Sequence, residues 1–334
     1  MFVDFIIAPR YIVVPTRLGK KGGKTPENIP HFRKKEGEAR GRTNILRNPR
    51  DKCAGICYTA VIRMKKGDGA MMLVTGASGF VGAAIMERCE GAVACPSLKG
   101  CTEADVARLV EESEADVIVH TAAIADIGVC QANPDASYQA NVLLPVWLAK
   151  AAKHRKLICF SSDQVYSGMD SDGPYTEETV KPNNVYAAHK IEMEQRVLDV
   201  CPDAVMLRAE WMYGHRSKKP NYFLNVLAAD GELRFSSAQY RGITYVDEVA
   251  DNMAAVARLT GGVYNFGSET TKSMFEITKE FLAFLGKDVP LSDAPAGHNL
   301  WMNCDKARRQ GVRFRLVEDG LKQCAEDYRR QQNG

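Results

Sequence analysis

The sequence predicts an α/β fold: a doubly wound parallel sheet with a smaller α/β lobe in its C-terminal half. Three observations carry that prediction. From Met71 onward short apolar runs alternate with longer segments of helical period, the pattern of strands joined by crossover helices. The first run ends in a glycine-rich turn that opens directly into a helix-forming segment. The chain has 334 residues, 45% hydrophobic and 25% charged, ample for a large core without disulfide or metal staples.

Charge divides the chain unevenly. Residues 1–70 carry 16 Lys/Arg against 6 Asp/Glu, so a net +3 for the whole is a +10 head on a −7 body. An acidic body excludes phosphate-backbone binding, which needs a basic surface, so no nucleic-acid partner is expected. No run reaches the ~18 apolar residues of a membrane span. Ten scattered cysteines without a CxxC pair match neither a disulfide framework nor a zinc site; no metal is expected, and a reducing, cytoplasmic setting fits. The head has two apolar runs, 2–7 and 11–14, then a polar Gly/Lys/Arg stretch with no period that could bury a face. It reads as a disordered extension, with the natural start expected at Met71 or Met72.

The elements follow in order. Met71-Met72-Leu73-Val74-Thr75 is a short buried strand by its length and flanks. Gly76-Ala77-Ser78-Gly79-Phe80-Val81-Gly82 then spaces three glycines as GxxGxxG ahead of a helix. Missing side chains allow a tight turn, close approach of backbone N–H groups to a pyrophosphate, and contact of helix with strand. The helix N-terminus favours the anion. This predicts a Rossmann-like NAD(P)-binding unit. The next strand, Ala92-Val93-Ala94-Cys95, is followed by Pro96-Ser97-Leu98-Lys99 rather than by the acid that usually meets a free ribose, so the reading leans toward NADP(H) over NAD(H).

Residues 115–120 form the third strand and end in Thr121-Ala122-Ala123, small enough for the backbone to pass a ligand closely. Residues 135–153 read as one long helix that Pro145 kinks after Asn141, and Lys156-Leu157-Ile158-Cys159-Phe160 as the next strand. Its C-terminal end, where open parallel sheets bind ligands, delivers Ser161-Ser162-Asp163-Gln164-Val165-Tyr166. Tyr186 and Lys190 follow in a YxxxK pattern, on one face of a helix. A phenol with a pKa of about 10 transfers protons poorly at neutral pH, and a lysine cation beside it favours the phenolate. With Ser162 bonded to the same substrate oxygen, Ser162, Tyr186 and Lys190 suit proton exchange with a carbonyl or alcohol while hydride moves to or from nicotinamide.

Residues 71 to about 325 resemble the extended short-chain dehydrogenase/reductase superfamily, and within it the dTDP-4-dehydrorhamnose reductase-like proteins. The resemblance rests on residues 74–82, 160–166, 173–178, 184–190 and 207–214. It implies that Ser162, Tyr186 and Lys190 are the catalytic triad. It also implies that Gly76, Ser78, Gly79, Phe80, Val81 and Gly82 hold the pyrophosphate and that Ala122 and Ala123 line the cofactor path. Tyr186 and Lys190 would touch the cofactor too, and Trp211 would join Ser162 and Tyr186 on the sugar. The implied activity is reduction of a nucleotide-linked 4-keto-6-deoxy sugar, in a protein compatible with a homodimer. Gln164 stands where the reductases carry tyrosine, and residues 239–247 only partly keep their proline-threonine turn, so the sugar and its nucleotide stay open. Two alternatives stand beside it: an NDP-sugar epimerase or dehydratase with bound NAD, and a noncatalytic NADP-binding regulatory subunit.

The expected organisation is an extension at 1–70, a cofactor domain at 71–210 plus 247–267, and a substrate lobe at 211–246 plus 268–334. Residues 249–259 read as a helix, 262–266 as a strand and 271–285 as an amphipathic packing helix. Arg208 and Arg241 are candidates to grip a diphosphate, since guanidinium suits paired phosphate oxygens. His120 and His189 read as structural or solvated.

Overall fold

The computed structural model describes residues 70–295 and 297–333; the extension expected at 1–70, with Cys53 and Cys57, lies almost wholly outside them. Among the described residues six parallel strands form the central sheet: β1 (Met72–Thr75), β2 (Ala92–Ala94), β3 (Val117–His120), β4 (Lys156–Ser162), β5 (Val205–Ala209) and, later in the chain, β9 (Gly262–Phe266). Their spatial order is β2-β1-β3-β4-β5-β9. The chain moves outward from β1 to β2, then crosses back to β3 on the other side of β1. The winding therefore reverses between the C-terminal ends of β1 and β3, the crevice where such sheets bind ligands.

Strand alternation divides the core between two faces. Leu73, Ile118, Leu157, Cys159 and Met206 point to one side, where α2 (Glu103–Glu112), α5 (Leu144–Ala152) and α6 (Val185–Val200) cover them. Val74, Val119, Ile158, Val205 and Leu207 point to the other, under α1 (Phe80–Arg88), α8 (Val246–Asp251) and α9 (Met253–Val256). Burial on both faces is why these strands read as continuous apolar runs. Each fully buried Val, Leu or Ile contributes roughly 1.5–3 kcal/mol. Asn252, between α8 and α9, breaks the helix expected at 249–259 and bonds Arg313 O at 2.7 Å.

The long helix expected at 135–153 is interrupted differently from a simple kink. After α3 (Ile127–Ala132) and α4 (Pro134–Tyr138), residues Gln139–Leu143 form a π-helical turn closed by Leu144 N–H on Gln139 O, and α5 then starts with Pro145 in its first turn. Pro145 has no N–H for a carbonyl four residues back, and the widened turn absorbs the mismatch. Asn141, in that turn, accepts from Ile124 N (3.1 Å) and donates to Ile124 O (2.9 Å), clamping the loop that leaves β3.

The second lobe has its own core of Tyr213, Tyr222, Phe223, Phe235 and Phe281. Two parallel pairs frame it: β6 (Trp211–Tyr213) with β8 (Ile243–Tyr245), and β7 (Leu233–Phe235) with β10 (Leu291–Asp293). It also takes in α7 (Tyr222–Ala228), α10 (Met274–Leu285) and α12 (Val317–Asn333), with α11 (Asp305–Arg309) following the segment that returns to the sheet. Ser273 and Glu276 form a capping box at the start of α10, and Gly286, at φ 67°, ends it in the left-handed conformation. Residues 297–304 run as a strap between the lobes, with bridges Arg241↔Leu300 and Tyr175↔Met302. No helix among the described residues is long and apolar enough to cross a membrane.

Candidate active site

The glycine turn lies at the reversal of the sheet. Gly76 has φ +66°, and a Cβ there would lie 2.8 Å from Ala122 N and 2.9 Å from Ala122 Cα, so turn and β3 exit pass in direct backbone contact. A Cβ on Gly82 would lie 2.3 Å from Gly76 O, so α1 also sits hard against the turn. Gly79 precedes α1, whose first N–H groups have no intrahelical partner and open on the same crevice. Ser78 and Gly79 are exposed, and Ala122 and Ala123 are half-buried and exposed. The cradle fits a dinucleotide pyrophosphate: it is closed to side chains and open to backbone donors.

One strand away, β4 ends in Ser162. Its Oγ donates to Asp163 Oδ1 at 3.2 Å and accepts from Gln164 N at 3.2 Å. A side-chain hydrogen bond also links Ser162 to the Tyr186 hydroxyl. Tyr186 and Lys190 reach this point from α6, whose N-cap Asn184 accepts from Ala187 N at 2.9 Å. The lysine Nζ lies 5.7 Å from the Tyr186 ring centroid and donates to Phe160 O at 2.7 Å. The three residues expected to act together are therefore gathered and buried, with exposures of 7%, 6% and 2%.

Their electrostatics differ from the expectation that Lys190 brings Tyr186 down. Burial pushes the Tyr186 hydroxyl up, and the Asp163 charge adds to this against the Ser162 hydrogen bond. Burial also brings the Lys190 ammonium down to about 8, partly offset by Cys159 and Glu194. Desolvation is the largest cause at each group because both are out of water. His120 is buried and held down to about 3, by desolvation first and by Lys190 second, with Nδ1 2.8 Å from Thr75 Oγ1. It is structural, as expected. His189 faces elsewhere, 2.9 Å from Ser137 Oγ.

The two arginines part company. Arg208 does not grip a ligand: it is 4% exposed, donates to Glu194 at 2.7 and 3.0 Å, and also reaches Tyr166 OH and Glu177 O at 2.9 Å each. Glu194 further accepts from Ser161 Oγ at 2.5 Å. This buried pair fixes α6 on β5, beneath the serine turn. Arg241 is at the crevice. Its Nη2 donates to Asp163 Oδ2 at 2.7 Å, its Cζ lies 5.2 Å from the Trp211 ring centroid, and its buried Nε has no partner among the described residues. Trp211 thus stands behind a guanidinium that is one carboxylate removed from Ser162.

Two features escape sequence reading. Glu210, between β5 and β6, is buried with Oε2 accepting from Thr244 Oγ1 at 2.9 Å and Oε1 unpartnered among the described residues. Cβ atoms on Gly242 and Gly267 would lie 2.0 and 2.2 Å from its oxygens, so both glycines make its slot. Burial raises its carboxyl well above the ordinary range, helped by Asp163 and opposed by Thr244 and Arg241. The other is the Arg241–Asp163 pair itself, which the Asp163-Gln164 dipeptide could have signalled only by the oddity of an acid beside the serine.

With the geometry in place, comparison with known proteins is informative. Residues 70–322 match the family described as RmlD substrate binding domain. The Danio rerio methionine adenosyltransferase 2 subunit beta is 27% identical over 276 residues, 72% of this chain and 85% of that protein. The dTDP-4-dehydrorhamnose reductase of Mycolicibacterium smegmatis is 28% identical over 202 residues, 58% of this chain and 61% of that one. Among solved structures, a dTDP-4-dehydrorhamnose reductase from Clostridium acetobutylicum superposes with a TM-score of 0.69 at 20% identity, covering 78% of this chain and 99% of that one. The Bacillus anthracis reductase in complex with NADP gives 0.68 at 21%, with 78% and 99% coverage. From its parallel sheet, its glycine turn and a match over residues 70–322, the chain belongs to the RmlD substrate binding domain family, a branch of the extended short-chain dehydrogenase/reductases.

Proposed function

We propose that this protein is a nicotinamide-dependent reductase of a nucleotide-linked 4-keto-6-deoxy sugar. The observation that carries the reading is the convergence of Ser162, Tyr186 and Lys190 beside the glycine cradle. Residues 76–82, Ala122 and Ala123 would hold the dinucleotide, which when bound supplies a hydride for C4. Ser97 and Lys99, both exposed beyond β2, support NADP(H) as the preferred form. The same reading divides the chain into the cofactor domain and substrate lobe set out above.

The side chains then have distinct tasks. Burial keeps the Tyr186 hydroxyl protonated, the form needed to give a proton to a carbonyl oxygen as it gains charge. Lys190, fixed by Phe160 O, holds positive charge beside the ring and favours the phenolate left behind. The Ser162 hydroxyl hydrogen is already engaged, donated to Asp163 Oδ1, while Oγ accepts from Gln164 N. A keto oxygen must displace one of these contacts, and the hydrogen held by Asp163 is the one that can turn to it. Arg241 keeps the charge of Asp163 compensated meanwhile.

The test follows absorbance of NADPH and NADH with dTDP-4-dehydrorhamnose, using Tyr186→Phe as control. Rapid oxidation that falls by roughly 10²–10⁴-fold in the variant is expected. Tight cofactor binding without oxidation of any 4-keto sugar nucleotide would overturn the reading. It would then favour a noncatalytic subunit, a reading supported by the 27% identity to the methionine adenosyltransferase subunit.

A further inference from the structure

Glu210 sits where the chain passes from the sheet to the second lobe. Up to Ala209 its strand pairs with β9, through Ala209↔Phe266, and from Trp211 it pairs with β8, through Trp211↔Ile243. Glu210 is the single residue between these two registers, and its buried side chain fills the junction. Thr244 Oγ1, which donates to Glu210 Oε2 at 2.9 Å, in turn accepts from Ser268 N at 3.0 Å. One carboxyl oxygen thereby ties the end of β5 to β8 and to the chain leaving β9. The other, Oε1, has no donor among the described residues. A Cβ on Gly242 would lie 2.0 Å from Oε1 and 2.3 Å from Ser268 O, so these two oxygens face one small space. Two acceptors in one space repel, and a proton between them removes the conflict.

The surrounding charges favour the same state. Asp163, Glu269 and the Cys304 thiol face Glu210 against the cation of Arg241, and Glu269 has its own partner in Arg308. Arg241 is already committed to Asp163 through Nη2. One guanidinium cannot compensate two buried carboxylates, and a proton spares the second from lying buried and unpaired. Arg241 directly precedes Gly242 and Trp211 directly follows Glu210, so the junction adjoins the contact between Arg241 and Trp211.

We propose that Glu210 is a positioning residue of the crevice: as the neutral acid it donates from Oε1 to Ser268 O, closes the junction of sheet and second lobe, and leaves the Arg241 charge wholly to Asp163. The junction then forms one ring, from Ser268 N to Thr244 Oγ1, from Thr244 Oγ1 to Glu210 Oε2, and from Glu210 Oε1 back to Ser268 O. Loss of the proton sets Oε1 against Ser268 O and offers the unpartnered Nε of Arg241 a second carboxylate. That draws Arg241 from Asp163, which holds the Ser162 hydroxyl. The proton and the ring are independent of what the crevice turns over; the effect on Ser162 rests on the reductase reading.

Infrared spectra and urea unfolding of the full chain test the proton, and kinetics test the positioning. At pH 7 the spectrum of the parent minus that of Glu210→Gln should contain the carbonyl stretch of a protonated carboxylic acid; a difference in carboxylate bands alone overturns the inference. Burial raises the native Glu210 carboxyl above the unfolded value of about 4.3, so native stability falls as pH rises from there toward the native value. From pH 5 to 7 the folding constant of the parent should drop, relative to that of Glu210→Gln, by up to about tenfold per pH unit. Parallel profiles for the two proteins overturn the inference as well. In NADPH oxidation with dTDP-4-dehydrorhamnose, Glu210→Ala should lower kcat/KM by up to roughly 10²-fold. Glu210→Gln, whose amide can donate to Ser268 O and accept from Thr244 Oγ1, should return it to within a few-fold of the parent. Glu210→Gln as slow as Glu210→Ala, or Glu210→Ala as fast as the parent, would refute the positioning role. A parent that oxidises no NADPH would sink the reductase reading, and the infrared and urea results would still decide whether Glu210 carries the proton.

Discussion

Removing Glu194 tests how the serine turn is supported. Glu194→Ala leaves Arg208 buried, with a cation whose three bonds to that carboxylate are gone. Burial works to strip the Arg208 proton, and the Glu194 hydrogen bonds and charge, with a smaller contribution from Tyr166, hold its pKa above the ordinary value. Breaking one side of such a pair costs about 3–5 kcal/mol. Tyr166 OH and Glu177 O remain as partners for Arg208, and Ser161 Oγ loses its own, so the middle of that range is expected. The Lys150–Glu103 pair, with both side chains about half exposed (49% and 48%), is the control, and Glu103→Ala should cost a few tenths of a kcal/mol. Urea unfolding reads the difference as a fall in midpoint at constant slope. In a Glu194→Leu, Arg208→Met double variant no charge is stranded, and the loss should shrink to about 1–2 kcal/mol. Its affinity for dTDP should equal that of the parent, because Arg208 faces the interior. A Glu194→Ala loss below about 1 kcal/mol, or a double variant as unstable as the summed singles, would refute the reasoning.

Two further outcomes follow from burial. His120 has its folded-state pKa depressed to about 3, so below about 6.5 the unfolded chain binds a proton that the native chain refuses. Native stability therefore falls as pH drops from 6.5 toward 3 and is indifferent to this group above 6.5. Between pH 7 and 4.5 the parent should lose about 2–3 kcal/mol more than His120→Gln, measured as urea midpoints; equal losses would contradict it. Gly242→Ala would press a methyl onto Glu210 Oε1 and onto Ser268 O, 2.3 Å from the new Cβ, and the backbone carbonyl cannot step aside. A loss of about 1–3 kcal/mol is expected by thermal unfolding, whereas Glu210→Gln should lie within about 1 kcal/mol because burial favours the neutral form of that carboxyl, whose shape the amide keeps. A Gly242→Ala protein as stable as the parent, or a severely destabilised Glu210→Gln, would count against the slot.

What could be read in advance was what is set locally. The strands β1, β3, β4 and β9 announce themselves as short apolar runs, because a strand buried on both faces has no polar side to interrupt it. The glycine turn is legible because the backbone conformation at Gly76 and the contact at Gly82 exclude side chains, a constraint written directly into residue type. Tyr186 and Lys190 are legible because a helix brings i and i+4 together whatever surrounds it. Even the break near Pro145 was foreseeable, since a missing N–H disturbs any helix, although its form as a π turn was not.

Tertiary structure alone decided the partners and the charge states. Arg208 and Arg241 are the same residue type at strand-like positions; only the crossing of α6 over β5 gives one a buried carboxylate, and only the approach of the second lobe gives the other Asp163. Tyr186 rises and Lys190 falls because water is excluded from both, a property of the packed site that no spacing encodes. Glu210 acquires its slot because Gly242 and Gly267, far apart in the chain, meet around its carboxyl. Periodicity and turn chemistry act over a few residues and survive in sequence; desolvation and cross-lobe pairing depend on where distant elements meet, and exist only once the chain has folded.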